Sequence, residues 1–318
     1  MHAPKLCQGR SKEILEAQEK LHHYFHENIK FHVSMAYLQI VHGQMKLNGC
    51  INSDDKFEWK KGPANQSPLP MSVMHLLDRV ILPYYFSIFE QEENKEVIER
   101  VLENMRELTE DFGPAVYANQ MDKIVKYIIL FLQKKAFCQD GMAIEDGEDK
   151  EEFQDENPEE DYGDEDEEGD DGIDHDEVIF GNVSDLVIAI ARSMGNEFAP
   201  YFTQLASHLV EYTTEKHPKS DKNMALGCLS EVFAACEGVI PTYFNDYLPL
   251  LEANSNTKDS KVNRNVAYSI GVLAQHAPLL FRPHVPNALK LLERLHSESS
   301  QIDAQDNIVA ALCRIIEF

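Results

Sequence analysis

The feature that most limits how this chain can fold is a repeat of about 42 residues in its second half. Pro200, Pro241 and Pro283 lie 41 and 42 residues apart, each where one apolar helix pattern ends and the next begins. Proline suits the first turn of a helix because the amide hydrogen that it lacks would have no intrahelical partner there. The three prolines therefore predict helix starts at a nearly constant spacing.

The helices between these prolines come in pairs. Gly227, Gly271 and Cys313 take matching places on the second helix of each pair, 44 and 42 residues apart. No alternating strand pattern of convincing length occurs, so the sequence predicts an all-α chain. A period near 42 residues is typical of HEAT or armadillo arrays. Two helices per unit rather than three, with a proline early in the first, favour an α-solenoid of about six HEAT repeats, each a pair of antiparallel helices.

One repeat is predicted to be interrupted. Pro114 lies 86 residues before Pro200, which is one period plus about 44 residues. The surplus falls between helices predicted at 118–135 and 178–194. Residues 48–70 are rich in turn formers and hold the only tryptophan, Trp59, so they are predicted to form a loop. The predicted repeats cover residues 11–47, 71–112, 117–195, 198–238, 242–277 and 281–317.

The surplus is an acidic window at residues 140–177, which holds 22 carboxylates and a single base, Lys150. It supplies −21 of the net charge of −26. A run this charged cannot bury enough apolar surface to offset the entropy of ordering it, so we predict a disordered insertion. It divides the solenoid into residues 1–139 and 178–318. It is either a solubilising loop or a polyanion that attracts or shields a Lys/Arg-rich partner.

Several classes of protein are disfavoured by what the sequence contains. The cysteines are scattered, and Cys228, Cys236 and Cys313 fall in apolar helical patterns, as expected of reduced core thiols in an intracellular protein. No signal peptide or membrane-length apolar run is recognised, and the acidic balance argues against direct nucleic-acid binding. No phosphate-binding or nucleophile motif occurs, and His22 and His26 lack companion metal ligands. We predict neither an enzyme nor a cofactor.

Three stretches resemble a known family: VIERVLENMRELTEDFGP, SDLVIAIARSMGNEFAPYF and KVNRNVAYSIGVLAQHAPLLFRPHVPNALKLL. Together with an acidic insertion inside a repeat, they resemble the importin-β (karyopherin-β) family, and within it the importin-four-like branch. The resemblance covers residues 71–318 well and 11–70 weakly. It implies the carboxy-terminal HEAT-repeat portion of a longer receptor.

The resemblance implies a nuclear transport receptor that shuttles between cytoplasm and nucleus through the nuclear pore. Members of the family wrap cargo inside a superhelical array, bind FG-repeat nucleoporins and release import cargo on binding Ran in its GTP form. Core histones and ribosomal proteins are cargo of the branch, so basic proteins are the implied partners. The amino-terminal repeats that form the main Ran contact have no counterpart here, which assigns Ran binding to the full-length receptor.

Cargo-binding candidates come from two places. The densest part of the acidic window contributes Asp164, Glu165, Asp166, Glu167, Glu168, Asp170 and Asp171. The second helices, which line the concave side of HEAT arrays, contribute Asp185, Glu231, Asn263, Asn265, Asp306 and Asn307. Each of these can also be a helix cap or solvated surface. Ser300 with Asp303 forms a capping pattern, which assigns Asp303 to a helix start.

The sequence thus predicts a binding module that engages basic cargo through its second helices and its acidic insertion. Two alternatives stay open at this stage. One is a HEAT-repeat scaffold without a transport role. The other is an acidic, histone-chaperone-like protein that prevents histones from aggregating with DNA.

Overall fold

The computed structural model describes residues 20, 21, 26–51, 57–63, 66, 68–140, 174–298 and 301–318. Within these residues the regular structure is helical throughout. We number the helices longer than one turn α1 to α11. They are α1 Glu27–Leu47, α2 (Met71–Leu76, Leu77–Ile81 and Leu82–Gln91), α3 Lys95–Phe112, α4 Met121–Leu132, α5 His175–Met194, α6 Ala199–Glu211, α7 Lys219–Ala235, α8 Ile240–Asn254, α9 Ser260–His276, α10 Val285–Glu298 and α11 Ile302–Glu317.

The helices form two rows. The second helices of the repeats (α1, α3, α5, α7, α9 and α11) each pack against the next one along the chain. Each first helix (α2, α4, α6, α8 and α10) packs against the second helix that follows it. The predicted partners on either side of the acidic window, α4 and α5, pack together in this way. The α-solenoid is confirmed; residues 11–19 and 22–25 of the first predicted repeat lie outside the described residues.

Local sequence explains where the helices begin and end. The side chains of Asn94, Asp174 and Asp259 accept hydrogen bonds from free amide hydrogens in the first turns of α3, α5 and α9. Pro200 and Pro241 lie in the first turns of α6 and α8, as predicted. The third proline of the series, Pro283, lies two residues before α10, in a 3-10 turn at Arg282–His284 that leads into this helix.

One predicted helix is irregular. The predicted repeat 71–112 begins with an apolar pattern from Met71 to Phe89, and the structure has a π-helical turn at Leu77–Ile81 inside it. Pro83 follows directly, in the first turn of the next α-helical segment. Because proline removes an intrahelical hydrogen bond, a wider turn before it lets the chain continue without a break. The helix thus runs on to Gln91 with its apolar side buried.

The carboxyl end of the predicted insertion needs correction. Helix α5 begins at His175, with Asp174 as its cap, so the last residues of the window 140–177 belong to the solenoid. His175 Nδ1 lies 2.9 Å from Glu99 Oε1, and Lys95 Nζ lies 2.9 Å from Asp176 Oδ1. Both pairs join α5 to α3. Residues 141–173 lie outside the described part of the chain.

At two of the three matching positions on the second helices, a glycine lets the next second helix approach closely. A Cβ atom on Gly271 would lie 3.1 Å from Ala311 Cα of α11, and one on Gly227 would lie 3.2 Å from Asn265 Nδ2 of α9. Cys313, the third member of the series, is exposed, as no later helix packs on α11 within the described residues. Its assignment to the core is therefore wrong, whereas Cys228 and Cys236 are buried as predicted.

The core is continuous along the solenoid and is rich in aromatic side chains. Phe198, Phe202 and Phe233 are almost fully buried between neighbouring repeats.

The prediction that no apolar stretch is long enough to span a membrane is wrong, because the stretch His175–Glu211 reaches the length and mean hydropathy of a membrane span. Two-thirds of its most apolar window (67%) is buried, and a 3-10 turn at Gly195–Phe198 separates α5 from α6. Burial of this kind is typical of core helices.

Candidate functional site

A polar groove lies across three consecutive second helices, α7, α9 and α11. Its cavity volume is about 390 Å³. Three carboxylates and one guanidinium group line it, together with amide and phenol groups, so its formal charge is negative. The lining residues are Gly227, Glu231, Arg264, Asn265, Tyr268, Asp303, Asp306 and Asn307.

Beside the groove, a line of side-chain contacts crosses four second helices. Arg192 on α5 donates from Nη2 to Glu231 Oε2 on α7 at 2.7 Å. The Tyr268 hydroxyl on α9 donates to Glu231 Oε1 at 2.9 Å. The Arg314 guanidinium on α11 lies 5.3 Å from the centroid of the Tyr268 ring, within cation–π range. We call these four residues the ladder.

In the ladder, both side-chain oxygens of Glu231 accept hydrogen bonds, one from Arg192 and one from Tyr268. Burial, followed by the charge of Glu231, raises the pKa of Tyr268 to about 12, so this phenol remains a donor at neutral pH. Arg192 is largely exposed, at 57% of its side-chain area, and Glu231 is less so, at 24%. Glu231 is therefore a fixed, partly buried negative charge in the groove wall.

Asparagine side chains form a second line next to the ladder. Asn265 Nδ2 donates to the Asn223 carbonyl oxygen at 2.7 Å and to Asn223 Oδ1 at 3.0 Å. Asn307 Nδ2 donates to the Asp303 carbonyl oxygen at 2.9 Å. Asn223, Asn265 and Asn307 are each 42 residues apart, which is one repeat. Within the described residues, the Oδ1 atoms of Asn265 and Asn307 have no donor, so they can accept N–H groups from a ligand.

Two carboxylates of the groove differ from Glu231 because they are not neutralised. Asp303 and Asp306 are exposed, and within the described chain neither forms an ion pair. Asp303 lies in the first turn of α11, where the helix dipole favours a negative charge. Gln301 is the N-cap of this helix, and its side chain makes no capping hydrogen bond. Asp303 lies at a helix start as predicted and also lines the groove, while Ser300 lies outside the described residues.

The structure places the predicted candidates in different surroundings. Glu231, Asn265, Asp306 and Asn307 come together in the groove, as residues predicted only one by one. Asn263 does not, because it is 5% exposed and donates from Nδ2 to the Thr257 carbonyl oxygen at 3.0 Å, closing the turn between α8 and α9. The candidates at 164–168, 170 and 171 lie outside the described residues.

Asp185 lies elsewhere on the second-helix row. It is on α5, about two turns before Arg192, and does not line the groove. Desolvation raises the pKa of its carboxyl group, while the nearby Arg106 and Arg192 charges act in the opposite direction. Asp185 is consequently part of the charged surface that α3 and α5 share.

Sequence reasoning missed several groove residues. Arg264 and Tyr268 line the groove, and Arg192 and Arg314 complete the ladder, yet no local motif marks any of them. A usable signal was present for Asn223. Its spacing of 42 residues from Asn265, and again to Asn307, equals the repeat period. Equivalent positions of a solenoid lie side by side, so such a series predicts neighbouring side chains.

Comparisons with known proteins agree with this architecture. The family model described as "Importin repeat 6" matches residues 143–215. The probable importin subunit beta-4 of Schizosaccharomyces pombe is 27% identical over 259 residues, which cover 81% of this chain and 23% of that protein. Importin-4 of Homo sapiens is 26% identical over 239 residues, or 74% of this chain and 20% of that protein. The crystal structure of the karyopherin Kap121p bound to the SUMO protease Ulp1p has a TM-score of 0.68 at 13% identity, covering 96% of this chain and 26% of that one.

The stacked helix pairs and the groove along their second helices define an α-solenoid of the HEAT-repeat class. The matching family model and the similarity to importins show that the chain resembles a HEAT-repeat portion of the importin-β family. The chain spans between a fifth and a quarter of the length of the curated relatives that it matches.

Proposed function

We propose that this chain is the part of a nuclear transport receptor that binds basic protein segments, with the groove on α7, α9 and α11 as the contact surface. The observation that carries the proposal is the pair Asp303 and Asp306, two carboxylates that line the groove and form no ion pair with any described residue. A lysine or arginine side chain of a cargo supplies that charge. Asn265 and Asn307 supply acceptors for the N–H groups of an extended segment.

The carboxylates of the groove suit a basic ligand better than a neutral one. Glu231 already accepts hydrogen bonds from two donors, which fix the orientation of its carboxylate before a ligand cation binds in the groove. Pre-organised groups lose less entropy on binding, which leaves more of the interaction free energy for affinity. The arrangement is therefore one of binding and release, and core histones and ribosomal proteins are the proposed cargo.

The acidic window has a separate role in the proposal. Its concentrated negative charge lies immediately before α5 in the chain. Long-range attraction of this kind raises the rate at which a basic partner arrives, and it weakens steeply as salt is added. We propose that the window captures a basic cargo while the groove holds it.

The groove is tested by fluorescence anisotropy with a labelled histone H3 tail peptide at 150 mM salt. Removing both charges in an Asp303→Asn, Asp306→Asn variant is expected to weaken binding about tenfold, because exposed ion pairs contribute up to about 1 kcal/mol each. The matched control is Glu252→Gln, which removes one exposed carboxylate from α8, outside the groove. Equal affinity of the double variant and the wild type would remove the groove from the proposal.

Transport is tested separately from binding. FG-repeat nucleoporins and Ran in its GTP form are proposed partners of the whole receptor. Immobilised chain is incubated with cell lysate, with and without added Ran·GTP. Capture of nucleoporins, and loss of histones when Ran·GTP is added, support a transport receptor. Capture of histones without either response favours a chaperone or scaffold.

A further inference from the structure

The loop around Trp59 crosses the carboxyl ends of three second helices. At α3, the Trp59 indole Nε1–H group donates to the Glu110 carbonyl oxygen at 3.1 Å. The Phe57 ring lies 6.4 Å from that of Phe112, the last residue of the same helix. The last carbonyl groups of an α-helix have no partner within it, so Trp59 satisfies one of them.

The same loop then reaches the next two second helices. The Gly62 backbone N–H group donates to the Ser193 carbonyl oxygen in the last turn of α5 at 3.0 Å. Lys61 Nζ donates to the carbonyl oxygen of Ala235, the last residue of α7, at 2.6 Å. A positive charge at the carboxyl end of a helix also interacts favourably with the helix dipole. Residues 59–62 thus satisfy one terminal carbonyl group on each of three consecutive repeats.

The ends of α3 and α5 are shaped to admit this loop. Gly113 and Gly195 follow these helices with φ of 76° and 62°, a conformation that residues with a side chain rarely adopt. A Cβ atom on Gly113 would lie 2.6 Å from the Trp59 ring, and one on Gly195 would lie 2.5 Å from Lys61 Cε. Both glycines are therefore required for the backbone turn and for the space that the loop occupies.

Gly62 is the only buried residue of the described segment 57–63, whereas the helices under it have a continuous buried side. The three hydrogen bonds described above end on helix termini, and Glu58, Lys60 and Lys61 are exposed. Segments with few buried contacts open locally at a lower free energy than the one at which the whole structure unfolds. The connection from α1 to α2 is also much longer than the few residues that usually join the helices of a bundle.

We propose that residues 57–63 act as a detachable strap that ties together the carboxyl ends of α3, α5 and α7. When the strap is docked, the three repeats are joined through backbone carbonyl groups as well as through their packed sides. When it detaches, the helices stay folded and the three ends are joined only through the packed sides of the helices. The strap thereby sets how freely this part of the solenoid changes its curvature.

The role of the strap in joining the helix ends is tested by hydrogen exchange on the full chain, comparing wild type with a Trp59→Ala, Lys61→Ala variant. Exchange in the last turns of α3, α5 and α7 is expected to rise about tenfold. The last turns of α9 and α11, which the strap does not contact, are expected to stay unchanged and serve as an internal control. A Lys126→Ala variant controls for the loss of an exposed lysine on α4. No change at α3, α5 and α7, or an equal rise in every second helix, would overturn the proposal.

Detachment is tested with the fluorescence of Trp59, which is specific to the strap because the chain has one tryptophan. During urea titration of the wild type, the fluorescence change is expected at a lower urea concentration than the loss of helical circular dichroism. Coincident transitions would show that the strap unfolds only with the helices, and the detachable strap would then be wrong.

Discussion

Two parts of the second-helix row are joined by different means. The carboxyl ends of α3, α5 and α7 share a strap that comes from residues 57–63, far away in the chain. The helices α7, α9 and α11 are instead joined by side-chain contacts between neighbouring helices, as in the ladder and the Asn223–Asn265 pair. The first part is tied at helix ends and the second along helix sides.

This difference has a consequence for function. The side-chain contacts between α7, α9 and α11 leave a groove beside them, with carboxylates that a ligand can reach. Strap contacts use backbone carbonyl groups, which are present whatever the side chain, so they leave the surfaces of α3 and α5 free to vary in sequence. We therefore place recognition in the ladder part and control of the repeat spacing in the strapped part.

The largest effect is expected where the strap meets a helix end. Replacing Gly195 with alanine forces a side chain into a left-handed conformation and into contact with Lys61. We expect a loss of about 2–3 kcal/mol in the free energy of unfolding, since strained backbone conformations cost about 1–3 kcal/mol and the strap is displaced as well. Urea unfolding followed by circular dichroism measures it.

Gly43→Ala provides the matched control for that substitution. Gly43 lies inside α1, and a Cβ atom there would have no neighbour within 4 Å. Because alanine is a better helix former than glycine, this variant should gain about 0.5–1 kcal/mol. If both variants lost the same stability, the strap would not explain the loss at Gly195.

A smaller effect is expected beneath the ladder, where the hydroxyl groups of Ser230, Tyr247 and Ser269 join α7, α8 and α9. The Tyr247 hydroxyl lies 3.0 Å from the Oγ atom of each serine. Tyr247→Phe should cost about 1 kcal/mol at pH 7, the usual net contribution of one hydrogen bond. Tyr243→Phe removes a phenol hydroxyl that has no hydrogen bond within the described residues, so it should change little.

The same tyrosine makes stability depend on alkaline pH. Burial raises the pKa of Tyr247 from its ordinary value of 10.0 to about 12. Between these values the unfolded chain loses this proton while the folded chain keeps it, so the free energy of unfolding falls as the pH rises. One such group contributes a slope of about 1.4 kcal/mol per pH unit. Urea unfolding at pH 9, 10 and 11 should therefore show a shallower decline for Tyr247→Phe than for Tyr243→Phe.

The sequence predicts the ladder part of the fold well and the strapped part poorly. Repeat position determines which residues of α7, α9 and α11 lie side by side, so the period of 42 residues already places Asn265 next to Asn223. Lys61 and Ala235 are 174 residues apart, and no periodicity relates them. Their contact depends on how three repeats stack, which is a property of the assembled solenoid.

The candidate site shows the same limit. Glu231, Asp306 and Asn307 are recognised as polar residues on second helices, but polarity does not distinguish a groove wall from solvated surface. Asn263 has the same residue type and the same helix as Asn265, yet it is buried and closes a turn. Only the rotation of each helix against its neighbours separates the two asparagines, and that rotation is set by packing.

The smallest effect concerns the single charge of the strap. Lys61→Met keeps the aliphatic stem against Gly195 and removes the ammonium group that contacts the end of α7. We expect a loss of about 0.3–1 kcal/mol at low salt, the usual size of a charge interaction at an exposed helix end. Arg192→Met, which removes a largely exposed partner of Glu231 in the ladder, should cost a similar amount.

Trp59 fluorescence distinguishes these two variants where their stabilities do not. Lys61→Met loosens the strap, so the Trp59 transition in urea should move to lower concentration while the helical transition stays nearly unchanged. Arg192→Met acts on the ladder and should leave the interval between the two transitions as it is in the wild type. Added salt should weaken the effect of both substitutions, because it screens exposed charges. An equal change of that interval in both variants would mean that the strap and the ladder respond as one unit, and the contrast between the two parts of the row would not hold.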